Sequence, residues 1–285
     1  MNKDASVCII PACFILCVWL SMSLIAVIGL YLALGALAGT MAGLFGIGGG
    51  LVIVPVLIFS FGLQGISSEI VAHLAVGTSL ATIVFTSMSS IRSHHLHQAV
   101  RWEIFRPMTA GIVVGAILGA WTASMLSGDA LELIIGVFVI LVALKMLLEV
   151  NPKPGRDVPG SAGLGGAGAG IGWASAIFGI GGGTLTVPFL SWCNVRMQQA
   201  VGTSAACGLP IAVAGALANI GTGWQNPHLP DLSVGFIYLP AFLGIVLTSV
   251  LFARLGANLA HRLDAALLKK IFAMVLIVVG IRFLL

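Results

Sequence analysis

Long apolar runs separated by short polar segments occupy nearly the whole chain. A helix that crosses a membrane needs about 20 mostly apolar residues. Runs of about this length lie at 23–44, 70–91, 103–126, 130–148, 163–180, 198–220, 233–253 and 263–284. Two shorter apolar runs, at 51–63 and 184–194, each follow a cluster of glycines. Because the runs are continuous, the pattern predicts a bundle of helices with 8–10 transmembrane segments and a short broken helix after each glycine cluster.

The composition supports this fold class. Of the 285 residues, 59% are hydrophobic and 8% are charged, whereas a soluble domain carries about 25% charged residues. The chain is therefore predicted to be an all-α polytopic membrane protein. Lys and Arg outnumber Asp and Glu by 13 to 9, but in a membrane protein basic residues indicate loop orientation. We therefore expect no nucleic-acid partner.

The N-terminal region has two interpretations. Residues 7–45 are almost uninterrupted apolar sequence, which as one helix would be about 58 Å long, against a bilayer core of about 30 Å. Residues 1–22 are therefore an N-terminal hydrophobic extension. It is either an extra span or a signal-like segment that ends at Ser21-Met22-Ser23.

The chain contains an internal repeat. The sequence GLFGIGGGLVIVP at 43–55 recurs as AIFGIGGGTLTVP at 176–188, and AVGTS at 75–79 recurs at 200–204. Because the order of the two motifs is the same in both copies, the chain reads as a duplicated unit. The predicted parts are repeat 1 at 23–150, a linker at 151–162 and repeat 2 at 163–285.

The basic residues favour inverted repeats. If each short glycine-led run is counted as a crossing, all Lys and Arg except Lys3 and Arg282 fall in the odd-numbered loops. This agrees with the rule that basic loops share one side of the membrane. If the short runs were re-entrant, the basic clusters at 92–106 and 254–270 would lie on opposite sides, against this rule. The re-entrant alternative nevertheless stays open.

Each glycine cluster predicts a broken helix and a binding site. Glycine costs about 1 kcal/mol per helix position relative to alanine, so three in a row should interrupt the helix. The first N–H groups of the next helix lack partners and lie at the positive end of its dipole, where anions bind. Short interrupted segments at equivalent places in two halves indicate a transporter site near the membrane midplane. The alternative is that the glycines only allow close helix packing. The candidate residues are Gly46, Gly48, Gly49, Gly50, Gly179, Gly181, Gly182 and Gly183.

Polar residues inside the apolar runs supply further candidates. The hydroxyls of Thr78, Ser79, Thr203 and Ser204 are either ligands of an anion or partners of carbonyls in their own helices. His73 is either a structural residue or a proton carrier.

No metal site or cofactor is expected, because Cys and His do not occur at ligand spacing. Phosphate-binding and hydrolase motifs are absent from the sequence, so we expect no enzyme.

The repeated motif resembles that of the TauE/SafE sulfite exporter family. Both FGIGGG copies, each followed by AVGTS, carry the likeness, as does the closing segment ARLGANLAHRLD at 253–264. The resemblance extends from Leu24 to Leu285. It implies about eight spans and the export or exchange of small sulfur-containing anions, such as sulfite or organosulfonates, across the bacterial inner membrane.

Together these features predict a multi-pass secondary transporter of the bacterial inner membrane, acting as an exporter. The anion would lie between the two broken-helix N-termini, and the partners would be this substrate and the lipid bilayer, with a homo-oligomer left open. Two alternatives are a passive anion channel on the same scaffold and a membrane assembly protein that transports nothing.

Overall fold

In a computed structural model of the chain, the structure describes residues 26–40, 49–148, 155, 157–259 and 265–284. The predicted extension at 1–22 lies outside these residues. The described part forms ten helices and one two-stranded antiparallel hairpin. These are α1 (Ala26–Thr40), α2 (Gly50–Leu63), α3 (Ser68–Leu96), α4 (Trp102–Ser124), α5 (Gly128–Leu147), α6 (Ser161–Ile177), α7 (Gly183–Trp192), α8 (Met197–Gly223), β1 (Ser233–Val234), β2 (Ile237–Tyr238), α9 (Leu239–Leu259) and α10 (Ala265–Leu284).

The all-α membrane architecture predicted from the sequence is confirmed. Within the described residues, α3, α4, α5 and α8 are long and apolar enough to cross a membrane. Large apolar side chains such as Trp121, Leu141 and Leu247 are exposed, as expected of helices whose outer faces contact lipid. The glycine-led helices α2 and α7 have 14 and 10 residues, or about 21 and 15 Å, which is too short to cross alone.

Helices α6 and α7 form a hairpin. The carbonyl of Trp192, the last residue of α7, accepts a hydrogen bond from the N–H of Gly155 at 3.2 Å. Ser161, the first residue of α6, comes six positions after Gly155, and such a segment reaches at most about 20 Å. If α7 continued in the direction of α6, Trp192 would lie about 40 Å from Ser161. Helix α7 therefore turns back along α6.

Helices α1 and α2 form a similar hairpin in the first half. Gln64 follows the end of α2, and its Nε2 donates to the hydroxyl of Tyr31, near the start of α1, at 2.8 Å. The structure therefore favours the re-entrant interpretation of the short runs. The objection that re-entrance would separate the basic loops does not apply, because each hairpin as a whole enters and leaves on the same side, and neither of its helices then crosses the membrane.

Helices of the two halves are interlaced. Gly111, Gly115 and Gly119 of α4 lie directly against the backbone of α6, and Gly35 and Gly39 of α1 lie against that of α9. Gly136 of α5 packs on Phe283 of α10. Each pair joins one half of the sequence to the other. The small residues allow backbones to approach closely, as is common between membrane helices.

Helices α3 and α8 cross at the centre in antiparallel directions. Leu80 of α3 contacts Gly215 of α8, and Ser87, seven residues later, contacts Gly208, seven residues earlier. These two helices carry the two Gly-Thr-Ser segments, so equivalent helices run in opposite directions. This observation supports the prediction of inverted repeats.

Candidate anion-binding site

The second glycine cluster breaks the backbone between α6 and α7. Gly179 has φ +62°, a left-handed conformation that favours glycine. The N–H of Ile180 donates to the carbonyl of Ser175 at 3.0 Å and closes the end of α6. Together these features form the glycine-based helix end known as a Schellman motif.

Helix α7 begins with unpaired donors. The carbonyl of Gly182 accepts from the N–H groups of Thr186 at 2.7 Å and Leu185 at 3.3 Å. Within the part of the chain that the structure describes, the N–H groups of residues 181–184 have no acceptor. These groups lie at the positive end of the α7 dipole, so they can donate to an anion.

The two glycine clusters meet. Gly49 has φ +66° and begins α2, and a Cβ on Gly50 would lie 2.7 Å from the carbonyl oxygen of Gly179 and 2.9 Å from Cα of Ile180. The start of α2 therefore lies directly against the break in the second half. Two further predicted residues, Gly46 and Gly48, lie outside the described residues.

Ser79 joins the first Gly-Thr-Ser segment to the second break. Its hydroxyl donates to the carbonyl of Gly179 at 2.7 Å. Ser79 is fully buried. This bond removes a carbonyl from the candidate site and holds the left-handed turn in place.

The two threonines bond across the halves. Thr78 Oγ1 accepts the N–H of Tyr238 at 3.0 Å, just before α9. Thr203 Oγ1 accepts the N–H of Arg101 at 2.9 Å, just before α4. Each threonine thus satisfies a donor at the start of the fourth helix of the other half. Neither interpretation of these hydroxyls from the sequence included this role.

Ser204 is different from the other three. Its Oγ is buried and has no hydrogen-bond partner among the described residues. The carbonyl that would correspond to Gly179 belongs to Gly46, which is not described. Of the four predicted hydroxyls, Ser204 is therefore the one that makes no hydrogen bond among the described residues.

Three further buried hydroxyls near the second break have no partner in the described part of the chain. They belong to Ser175, Thr184 and Thr186. A Cβ on Gly182 would lie 3.1 Å from Thr186 Oγ1 and 3.2 Å from the carbonyl oxygen of Ser204, so these groups adjoin the start of α7. Unpaired buried polar groups are uncommon and require an explanation, such as a ligand.

Sequence reasoning missed Thr184 and Thr186, although the sequence carried a signal. The first copy of the motif has Leu51 and Ile53 where the second copy has these two threonines. A difference between otherwise matching repeats thus marks the break with the larger number of donors. Ser87 of α3 adds a hydroxyl from the first half, 3.1 Å from where a Cβ on Gly208 would lie.

Electrostatically, the break is neutral. Among the described residues, no Lys, Arg, Asp or Glu side chain is buried, and no group of three metal-ligating side chains occurs there. The donors available to a ligand are therefore amide and hydroxyl groups.

Comparison with known proteins identifies the family. The family model described as "Sulfite exporter TauE/SafE" matches residues 31–283. The chain belongs to the TauE/SafE sulfite exporter family. The match covers both glycine clusters and both Gly-Thr-Ser segments, as the sequence motifs predict.

Relatives from several organisms are described as transporters. A "Probable membrane transporter protein" of Haemophilus influenzae is 40% identical over 255 residues, covering 88% of this chain and 96% of the relative. YunE of Bacillus subtilis, described in the same words, is 26% identical over 268 residues, with 87% and 93% covered. MJ0441 of Methanocaldococcus jannaschii, again so described, is 25% identical over 274 residues, with 93% and 98% covered. No solved structure gives a significant match.

Family and architecture together make this TauE/SafE protein a multi-pass membrane transporter of the bacterial inner membrane. The predicted family, localisation and general class of function are thereby confirmed.

Proposed function

We propose that the protein is a secondary transporter that exports small sulfur-containing anions, such as sulfite or organosulfonates, and binds them at the start of α7. The family description supports the substrate class. The observation that carries the site is the group of N–H donors at 181–184 that are unpaired among the described residues, with the unpaired hydroxyl of Thr186 and the backbone of Ser204 directly against Gly182. The buried hydroxyl of Ser204 is also unpaired there.

The chemistry of this site fits a desolvated oxyanion. Removing an isolated ion from water into a medium of low dielectric constant costs tens of kcal/mol by Born estimates. Converging amide and hydroxyl donors replace the lost water molecules. Because no Lys or Arg side chain is buried among the side chains that the structure describes, the anion is not held so tightly that release becomes slow.

The proposed site belongs mainly to one break. Thr78 and Thr203 each already accept a backbone N–H, and Ser79 donates to the carbonyl of Gly179, whereas Ser204 Oγ makes no hydrogen bond among the described residues. We therefore assign the binding role to Gly181, Gly182, Gly183 and Ser204 of the predicted set, with Thr186 added. The first break contributes through the contact of Gly50 with Gly179.

The test is sulfite efflux from proteoliposomes with the wild-type protein, Ser204→Ala and Thr186→Val. Loss of a hydrogen bond to a charged ligand costs about 1.5–3 kcal/mol, so each variant should need roughly ten- to a hundredfold more sulfite for half-maximal rate. Ser249→Ala is the matched control, because Ser249 is also fully buried but donates to Val246 of its own helix.

Unchanged half-saturation in both site variants would contradict the site. Flux that never saturates and shows no counterflow would indicate the channel alternative. A wild-type protein that carries no sulfite, sulfate, thiosulfate or sulfoacetate would contradict the proposed function.

A further inference from the structure

His73 is a buried titratable group that the proposed anion site does not use. Only 6% of this α3 residue is exposed. Its Nε2 lies 3.0 Å from the carbonyl oxygen of Ala123, in the last turn of α4. Its ring lies against the ring of Phe236, with centroids 5.2 Å apart.

The second ring nitrogen has no partner. Because Nε2 faces a carbonyl, it carries a proton in the neutral ring, and Nδ1 is then an acceptor. Nδ1 is buried, with no donor or acceptor among the described residues. A second proton on this ring would place a positive charge beside the carboxyl end of α4, which is the negative end of its dipole.

The charged groups around this end of the bundle are mostly acidic. Helix α3 itself carries Glu69, which lies 3.8 Å from His228 of the loop before β1. The same loop carries Asp231, and the start of α5 carries Asp129 and Glu132. Arg282, near the end of α10, lies close enough to Glu132 to interact with it. The charged residues of α4, Glu103 and Arg106, belong to its opposite end.

Direct contacts connect His73 to the anion site. Phe236, which touches the imidazole, packs through its carbonyl on Gly77. The next residue, Thr78, accepts the N–H of Tyr238, and Ser79 holds Gly179 at the second break. Ser79 comes six positions after His73 in α3, a rise of about 9 Å along the helix.

We propose that His73 takes up a proton when the anion binds, so that proton and anion move together. The inference rests on the proposed function. A positive charge on His73 attracts an anion at the start of α7, because the interior of the protein screens charges less than water does. By linkage, the bound anion favours the protonated imidazole to the same extent. The role belongs to the first half, because the counterpart Gln198 is exposed.

The experiment measures sulfite binding to purified protein by calorimetry on both sides of the ordinary imidazole pKa of about 6.5. His73→Gln retains a donor near Nε2 but does not titrate. His228→Gln is the control for an exposed histidine. The protonation state of sulfite itself also changes with pH, but this change contributes equally to the binding measured for all the proteins compared. Between about pH 5 and pH 8, we expect the wild type and His228→Gln to lose several-fold more affinity than His73→Gln.

Equal pH dependence in the wild type and His73→Gln would overturn the proton coupling and leave the proposed function intact. Absence of sulfite binding by the wild type at both pH values would overturn the proposed function, and with it the coupling.

Two further measurements keep the proposal testable if His73→Gln does not fold. His73→Asn places an amide near Nδ1 instead and should lose the pH dependence in the same way. Calorimetry of the wild type in buffers of different ionisation enthalpy counts the protons taken up on binding. Proton uptake in excess of the contribution from sulfite itself supports the proposal. Absence of this excess contradicts the proposal.

Discussion

The hydroxyl groups of the two Gly-Thr-Ser segments have different bonding partners, although the segments are identical in sequence. Both threonine oxygens accept a backbone N–H from the other half, and Ser79 donates to Gly179, whereas Ser204 is unpaired among the described residues. The sequence located these residues but could not assign their partners, because every partner belongs to a distant segment. The positions of the four hydroxyl residues along the chain could thus be predicted from the sequence, whereas their hydrogen-bond partners in the folded protein could not.

The hydrogen bonds accepted by Thr78 and Thr203 predict that removing either hydroxyl lowers the stability of the protein. Thr203→Val leaves the N–H of Arg101 without its acceptor, and Thr78→Val does the same to Tyr238. An unsatisfied buried donor costs about 1–3 kcal/mol. We expect a lower unfolding midpoint for each valine variant in thermal unfolding of the purified protein. The matched variants Thr203→Ser and Thr78→Ser keep the oxygen and should stay near the wild-type midpoint. Equal loss in serine and valine variants would contradict this role.

A second prediction for a single residue concerns the left-handed glycine Gly179. An alanine there adopts φ +62°, and its Cβ lies 2.7 Å from Val54 Cγ2 and 3.0 Å from Val76 Cα. The left-handed conformation alone costs about 1–2 kcal/mol, and the crowding also displaces the carbonyl that Ser79 bonds. Gly179→Ala should lower both the unfolding midpoint and the sulfite efflux.

Gly166→Ala on α6 is the control, because nothing lies within 4 Å of the added Cβ. It should be neutral or stabilising by up to about 1 kcal/mol, since glycine is a poor helix former. A Gly179→Ala protein as stable and active as Gly166→Ala would refute the importance of the left-handed turn.

Among the elements, the paths of the short helices were the hardest feature to predict. Contiguous glycines predicted that the helix breaks and that a new one starts, and the structure has these starts at Gly50 and Gly183. The direction of the new helix depends on backbone angles that glycine leaves free and on packing partners far along the chain. The glycine pattern is therefore compatible with both continuation and return, and the distribution of basic residues favoured continuation.

The pairing of α4 with α6 leads to a prediction about elements. Gly115 lies against the carbonyl of Ala169, so Gly115→Val must separate the two helices. Overpacking costs about 1–3 kcal/mol. Gly170→Val on α6 is the control, because nothing lies within 4 Å of a Cβ added at this exposed position. Thermal unfolding should show a clear loss for Gly115→Val and little change for Gly170→Val. The opposite order would contradict the packing.

For the whole molecule, interlacing restricts how the transporter can move. Helix α1 packs on α9 and α6 packs on α4, so each pair combines helices from both sequence halves. A rocking motion of one sequence half against the other, as in many inverted-repeat transporters, would separate both pairs. The bodies that move are therefore expected to be such mixed pairs, a feature that repeats in sequence do not reveal.

The interlacing predicts the behaviour of a split chain. If the chain is divided within the linker at 151–162, each fragment lacks the partners of its first and fourth helices. Neither fragment should accumulate in membranes alone, while co-expressed fragments should copurify and transport sulfite. Separate expression followed by affinity purification in mild detergent checks this. Stable, monodisperse single fragments would contradict the interlaced arrangement.

The central claim is that the glycine break before α7 holds the transported anion. The most direct measurement is an experimental structure with bound selenite, whose anomalous scattering marks its position. The account predicts one peak within hydrogen-bonding distance of the amides at 181–184 and of Ser204 Oγ, and no such peak in the Ser204→Ala protein at the same selenite concentration. A peak elsewhere, or an unchanged peak in the variant, would contradict it.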